Sequence, residues 1–135
     1  MQWDGSANLG FSESEASALY LPVDSSEDAP TVAAQEKDPA SLLNTVRAIL
    51  TLRHQEEDLQ ADADFKVVCS EAGKPFVYRR GDLLCAVNPS GTEQSVALPA
   101  DVAEKLNGST LFELGKTFLD HGVLTVAAQS FAVMK

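Results

Sequence analysis

The side chains in this 135-residue chain best suited to chemistry are two histidines, two cysteines and an excess of carboxylates. His54 lies in a helical stretch between Arg53 and Gln55, and His121 lies in the turn-like Asp120-His121-Gly122. An Asp-His pair with a serine would suit acyl transfer. That chemistry needs the serine on a strained elbow of the G-x-S-x-G type, and the chain has no such segment. Both histidines read as solvent-facing. Cys69 and Cys85 lack the C-x-x-C spacing of a metal or redox site. Each sits in an apolar run and reads as a small buried hydrophobe with a reduced thiol, not as a nucleophile. Glu56-Glu57-Asp58 offers three carboxylates in a row. Consecutive helical residues point in different directions, and the run lacks the alternating oxygens and the glycine of a calcium loop. It reads as a solvated face. No catalytic residue, metal ligand or cofactor site emerges from these groups.

Charge and composition narrow the classes further. Hydrophobic residues make up 44% and charged residues 22%, a globular balance. Ten basic residues face twenty acidic ones, for a net charge of -10. Such a surface repels phosphates, so neither nucleic acid nor anionic lipid is an expected partner. No apolar run approaches the roughly 20 residues of a membrane span. No basic-then-apolar leader opens the chain, so a cytoplasmic location is expected, in keeping with reduced cysteines.

The charge is unevenly spread. Residues 1–64 hold thirteen acids and three bases, whereas residues 65–135 hold seven of each. Residues 1–38 carry eight acids and one base, Lys37, with no sustained period. Alone, such a leader should be largely loop or disordered. It nevertheless spends Trp3, Phe11, Leu19, Tyr20, Leu21 and Val23, which suggests chain that packs against something else.

Two kinds of element follow the leader. Asp38-Pro39 reads as a helix start, and Leu42, Leu43, Val46, Ile49 and Leu50 recur at helical spacing. The acids at 56–58 oppose the negative end of the helix dipole, so the helix is expected over about residues 39–58. Residues 65–135 read as short strands: 65–69, 76–80, 83–87, 95–98, 110–114, 123–127 and 130–134. They are punctuated by Gly and Pro turns, with Gly81-Asp82 as a two-residue hairpin. Asp101 to Leu106 reads as one helical turn. The expected fold is mainly β, an antiparallel β-sandwich preceded by one amphipathic helix and a long acidic leader.

Several blocks of the first 53 residues carry a resemblance. Met1-Gln2-Trp3-Asp4 with Asn8-Leu9-Gly10-Phe11 is similar to "PMQWD…NAGF". Tyr20-Leu21-Pro22-Val23 is similar to "W-x-PV", and Thr31-Val32-Ala33-Ala34-Gln35 to "N-V-x-x-Q". Asp38-Pro39-Ala40-Ser41-Leu42-Leu43-Asn44 is similar to "D-P-x-S-L-L-N", and Ile49 to Arg53 to "L-I-x-L-R". In that order and spacing they resemble the α-glucosidases, oligo-1,6-glucosidases and trehalose synthases of the α-amylase family, glycoside hydrolase family 13. The resemblance implies the last barrel loop, the last barrel helix and a Greek-key C-terminal β domain. It implies no catalytic residue here, because the family motifs bearing the Asp nucleophile and the Glu acid/base have no match. Asp120-His121 reverses the family's "H-D" and lies in the wrong domain. Trp3 and Asp4 match positions near the substrate entrance, a role belonging to the whole enzyme. The implied function is that of the C-terminal part of an enzyme that cleaves or rearranges α-glucosidic bonds, inert by itself. The expected partners are the missing catalytic barrel and a second copy meeting it through the helix stripe. A stand-alone carbohydrate-binding module and an acidic interaction domain are the alternatives.

Overall fold

Period-two alternation after Asp64 builds a sandwich of two antiparallel sheets. In the computed structural model, which describes residues 1–135, the chain forms two units, Met1–Leu50 and Thr51–Lys135. The second unit holds every strand: β1 (Phe65–Cys69), β2 (Phe76–Arg80), β3 (Leu83–Asn88), β4 (Gln94–Ala97), β5 (Thr110–Leu114), β6 (Thr117–Asp120), β7 (Val123–Val126) and β8 (Ser130–Met134). One sheet runs β1-β2-β3-β8-β5 and the other β4-β7-β6. Strands β5 and β8 lie side by side while β6 and β7, between them in sequence, occupy the opposite sheet. This is the Greek-key return expected of the family.

Strand β6 is the element the sequence reading missed. Its apolar residues Phe118 and Leu119 are adjacent and do not alternate, so only pairing with β7 defines it. The two strands close through His121 and Gly122, whose φ values of 45° and 79° make the primed turn a tight hairpin needs. The Gly81-Asp82 hairpin forms as expected, with Arg80 opposite Leu83.

Strand β3 is buried on both faces. Leu84 and Ala86 face the sandwich interior with Val77, Leu124, Val126, Ala132 and Met134. Leu83 and Cys85 face outward with Val133, beneath Leu52 and Leu59. Burying side chains of this size contributes about 1.5–3 kcal/mol each. Asn88 is the polar pin of the core. Its Nδ2 donates to the carbonyls of Thr92, Val126 and Ala127, and its Oδ1 accepts from the Ser90 N–H and hydroxyl. A short helix, Ala100–Ala103, drops Val102 into the interior; it is labelled α3 below.

The first unit is organised by hydrogen bonds and has no apolar core. Its single buried residue is Ser41. The leader is mostly loop with short turns, and near its end it forms one helix, α1 (Val32–Lys37), capped by the Thr31 hydroxyl accepting from the Ala34 N–H. The next helix, α2, spans Leu42–Gln55, starting later than the expected residue 39. Asp38 does not cap it. The Asp38 carboxylate accepts from the Ala40 N–H within the connecting corner, and Ser41 takes the capping position by accepting from the Asn44 N–H. The corner is tied together by the residues that carried the resemblance. The Ser41 hydroxyl and the Asn44 amide both donate to the Gln35 carbonyl, and Gln35 Oε1 accepts from the Leu43 N–H. Arg47 pairs with Glu36 at 3.0 Å across the same corner.

Candidate functional site

In the first unit, Trp3 and Asp4 sit on a doubled-back loop. The Trp3 and Asp4 N–H groups both reach the Leu9 carbonyl, and the Gln2 and Trp3 carbonyls accept from Val32 and Ala33 at the start of α1. Reversing so tightly puts Asn8, Leu9 and Gly10 all in the left-handed region, with φ of 52°, 54° and 67°. Asn8 tolerates this by donating to the carbonyls of Ser12 and Ser14. Leu9 has no such compensation, so the loop stores strain. Asp4 Oδ1 accepts from the Ser6 hydroxyl at 2.5 Å and the Ser6 N–H at 2.8 Å. Those bonds hold its carboxyl below the usual carboxylate range. A Cβ at Gly10 would lie 2.8 Å from that same oxygen, so only glycine lets the carboxylate fold over the loop. The result is an open depression of about 610 Å³ with Asp4, Ser6, Phe11 and Glu13 on its walls.

The large apolar residues of this unit face outward. Tyr20 is 99% exposed, and Met1, Trp3, Phe11 and Leu21 are exposed as well. The α2 stripe divides. Leu42, at 74% exposure, forms an open ridge with Val46 and Leu50, while Leu43 and Ile49 are half-buried.

In the second unit the outer face of β1 and β2 carries three rings in line. Phe65 and Phe76 flank Tyr78 with centroids 5.4 and 5.2 Å apart and planes tilted by 39° and 32°. Phe65 is 56% exposed and Phe76 is also exposed, so neither ring belongs to the core. Tyr78, between them, has its phenol pushed up to about 12, first by burial.

The other candidates take structural places. His54 is exposed, and His121 is exposed in its hairpin turn, 3.6 Å from Asp120. The cysteines lie on opposite faces of one sheet, Cys69 toward the sandwich interior and Cys85 toward the outer cluster, so they cannot pair. Burial pushes the Cys85 thiol up, away from the reactive thiolate. Asp58, read from sequence as solvated, instead accepts from the Asp82 N–H at 3.1 Å and supports the β2–β3 turn. That role depends on a contact 24 residues away, which no local pattern reveals. Nowhere do three His, Cys, Asp or Glu side chains converge as metal ligands would.

No family model matches the chain. The probable oligo-1,6-glucosidase 2 of Bacillus subtilis (strain 168) is 31% identical over 99 residues, which is 71% of this chain and 17% of that protein. The trehalulose synthase MutB of Pseudomonas mesoacidophila MX-45 matches with a TM-score of 0.80 at 22% identity, over 99% of this chain and 24% of that one. The Bacillus licheniformis trehalose-6-phosphate hydrolase (TreA) matches with a TM-score of 0.82 at 22% identity, over 98% of this chain and 24% of that one. At such identity the solved structures speak for the fold, and the chain spans about a quarter of their length. The motif-bearing corner, the Greek-key sandwich and these matches agree: the chain belongs to the α-amylase family, glycoside hydrolase family 13, and corresponds to the C-terminal region of its enzymes.

Proposed function

We propose that this chain serves as the C-terminal part of an α-glucosidase-like enzyme acting on α-glucosidic bonds in the cytoplasm. The β domain has a structural role, and the chain does no glycosidic chemistry alone. The observation that carries this reading is the partition of apolar surface. Every buried hydrophobic residue lies between Cys69 and Met134, while Trp3, Phe11, Tyr20, Leu21, Leu42, Val46 and Leu50 face outward from a unit with no core. That unit is built to be covered. Its natural cover is a catalytic (β/α)₈ barrel, which carries its carboxylates on its own strands. Without a barrel, a second copy is the remaining cover for the helix ridge. Trp3 and Asp4 would then line the approach to the substrate site of the assembled enzyme.

The test is incubation of the chain with p-nitrophenyl α-glucoside, maltose and isomaltose. No turnover above a heat-treated control is expected, because a glycosidase without its paired carboxylates loses most of its rate enhancement. Measurable turnover would sink the reading. The exposed Phe65 and Phe76 rings on either side of the half-buried Tyr78 favour a second one, a sugar-binding surface on the β domain. Saturable binding of a maltooligosaccharide that Phe65→Ala abolishes would select it.

A further inference from the structure

We propose that Asn107 is a site of spontaneous covalent modification, where its carboxamide converts to aspartate and isoaspartate through a cyclic imide closed by the Gly108 nitrogen. Asn107, Gly108 and Ser109 are all exposed in the loop between α3 and β5. Three features of the loop favour the reaction. Gly108 offers no side-chain hindrance, since a Cβ there would meet nothing within 4 Å. The Gly108 N–H donates to no group of the protein, so the attacking nitrogen is free. The Ser109 N–H donates to Asn107 Oδ1 at 2.9 Å. It is thus already aimed at the oxygen on which negative charge develops when the carboxamide is attacked, the arrangement of an oxyanion donor.

The step balances without any external oxidant or reductant. Base removes the Gly108 amide proton, the nitrogen bonds to Asn107 Cγ, and the Cγ–Nδ2 bond breaks, releasing ammonia. Water then opens the imide at either carbonyl, giving aspartate or isoaspartate. The other asparagines lack the combination. Asn8 precedes Leu9, Asn44 precedes Thr45 within α2, and Asn88 is buried before Pro89, whose nitrogen carries no proton.

The loop also holds the last residue of the chain. The Asn107 N–H donates to the Lys135 carbonyl at 3.0 Å, and the Lys135 N–H donates to the Ser109 carbonyl at 2.8 Å. Isoaspartate inserts a methylene into the main chain between those two bonds and adds a negative charge. Conversion therefore unfastens the end of β8 from the start of β5.

The experiment is timed incubation of the intact 135-residue protein at neutral and alkaline pH, with peptide mass mapping and amide exchange. Exchange of an amide for a carboxyl at Asn107 is expected, about tenfold faster per pH unit because the attacking nitrogen must lose a proton. Asn8, Asn44 and Asn88 should stay intact. Lys135 exchange should quicken in step with conversion, and Asn107→Gln should show neither change. An Asn107 that persists in the folded protein over a period in which the denatured chain converts would overturn the proposal. So would conversion spread equally over the four asparagines.

Discussion

Gly81 carries more of the β2–β3 turn than its size suggests. Its φ of 53° lies where side chains are disfavoured, and a Cβ there would overlap the Asp58 carboxylate that accepts from the Asp82 N–H. Gly81→Ala therefore combines backbone strain with loss of that hydrogen bond. We expect about 1–3 kcal/mol of destabilisation in urea unfolding; an unchanged midpoint would show that Asp58 moves aside freely. Tyr78 makes the alkaline limb of stability. Its folded pKa of about 12 lies above the ordinary 10.0, so folding favours the neutral phenol. That contribution is fully present below pH 10 and is lost as pH rises toward 12. Melting curves between pH 9 and 12 should fall more steeply for the parent protein than for Tyr78→Phe. Parallel curves would contradict the assignment.

At the scale of elements, α2 has one face with nothing to rest on. Leu42, Val46 and Leu50 stand one turn apart and exposed. Leaving such side chains in water forgoes roughly 1.5–3 kcal/mol each. A two-fold pairing of this ridge would bury it on both copies at once. The net charge of -10 opposes the approach, and salt weakens that opposition as the screening length falls from about 10 Å at 0.1 M to about 3 Å at 1 M. Sedimentation should show a dimer that tightens with salt and is lost in Val46→Glu. A monomer at hundreds of micromolar in high salt would mean the ridge finds no second copy.

At the scale of the whole molecule, cohesion is concentrated in one part of the chain. The buried hydrophobic residues all belong to the second unit, and Leu52 and Leu59, which cover the outer face of β3, belong to it as well. A chain cut to residues 42–135, which keeps α2 whole and so keeps Leu52 in place, should therefore unfold cooperatively with a midpoint within a few degrees of the parent. The polar corner would lose Gln35 and Ser41, neither of which is among the buried hydrophobic residues. Loss of cooperativity in the shortened chain would show that the first unit supports the sandwich.

Seven of the eight strands and the amphipathic helix were legible because alternation and helical spacing are local signals that burial on one face imposes. The Gln35, Asp38, Ser41 and Asn44 motifs were legible as a resemblance, and their hydrogen bonds supply its physical content: they turn α1 into α2. Other features came only from tertiary structure. Strand β6 exists by pairing with β7, since two adjacent apolar residues carry no period. Asp38 looked like a helix cap, but the corner drew the cap to Ser41. Asp58 looked solvated until a distant turn brought the Asp82 N–H to it. Phe65 and Phe76 sit in strands and stay exposed, because which face of a sheet is covered depends on what lies above it. Sequence carries periodicity and local conformational preference; the partner of each face and of each polar group is decided by segments far away along the chain.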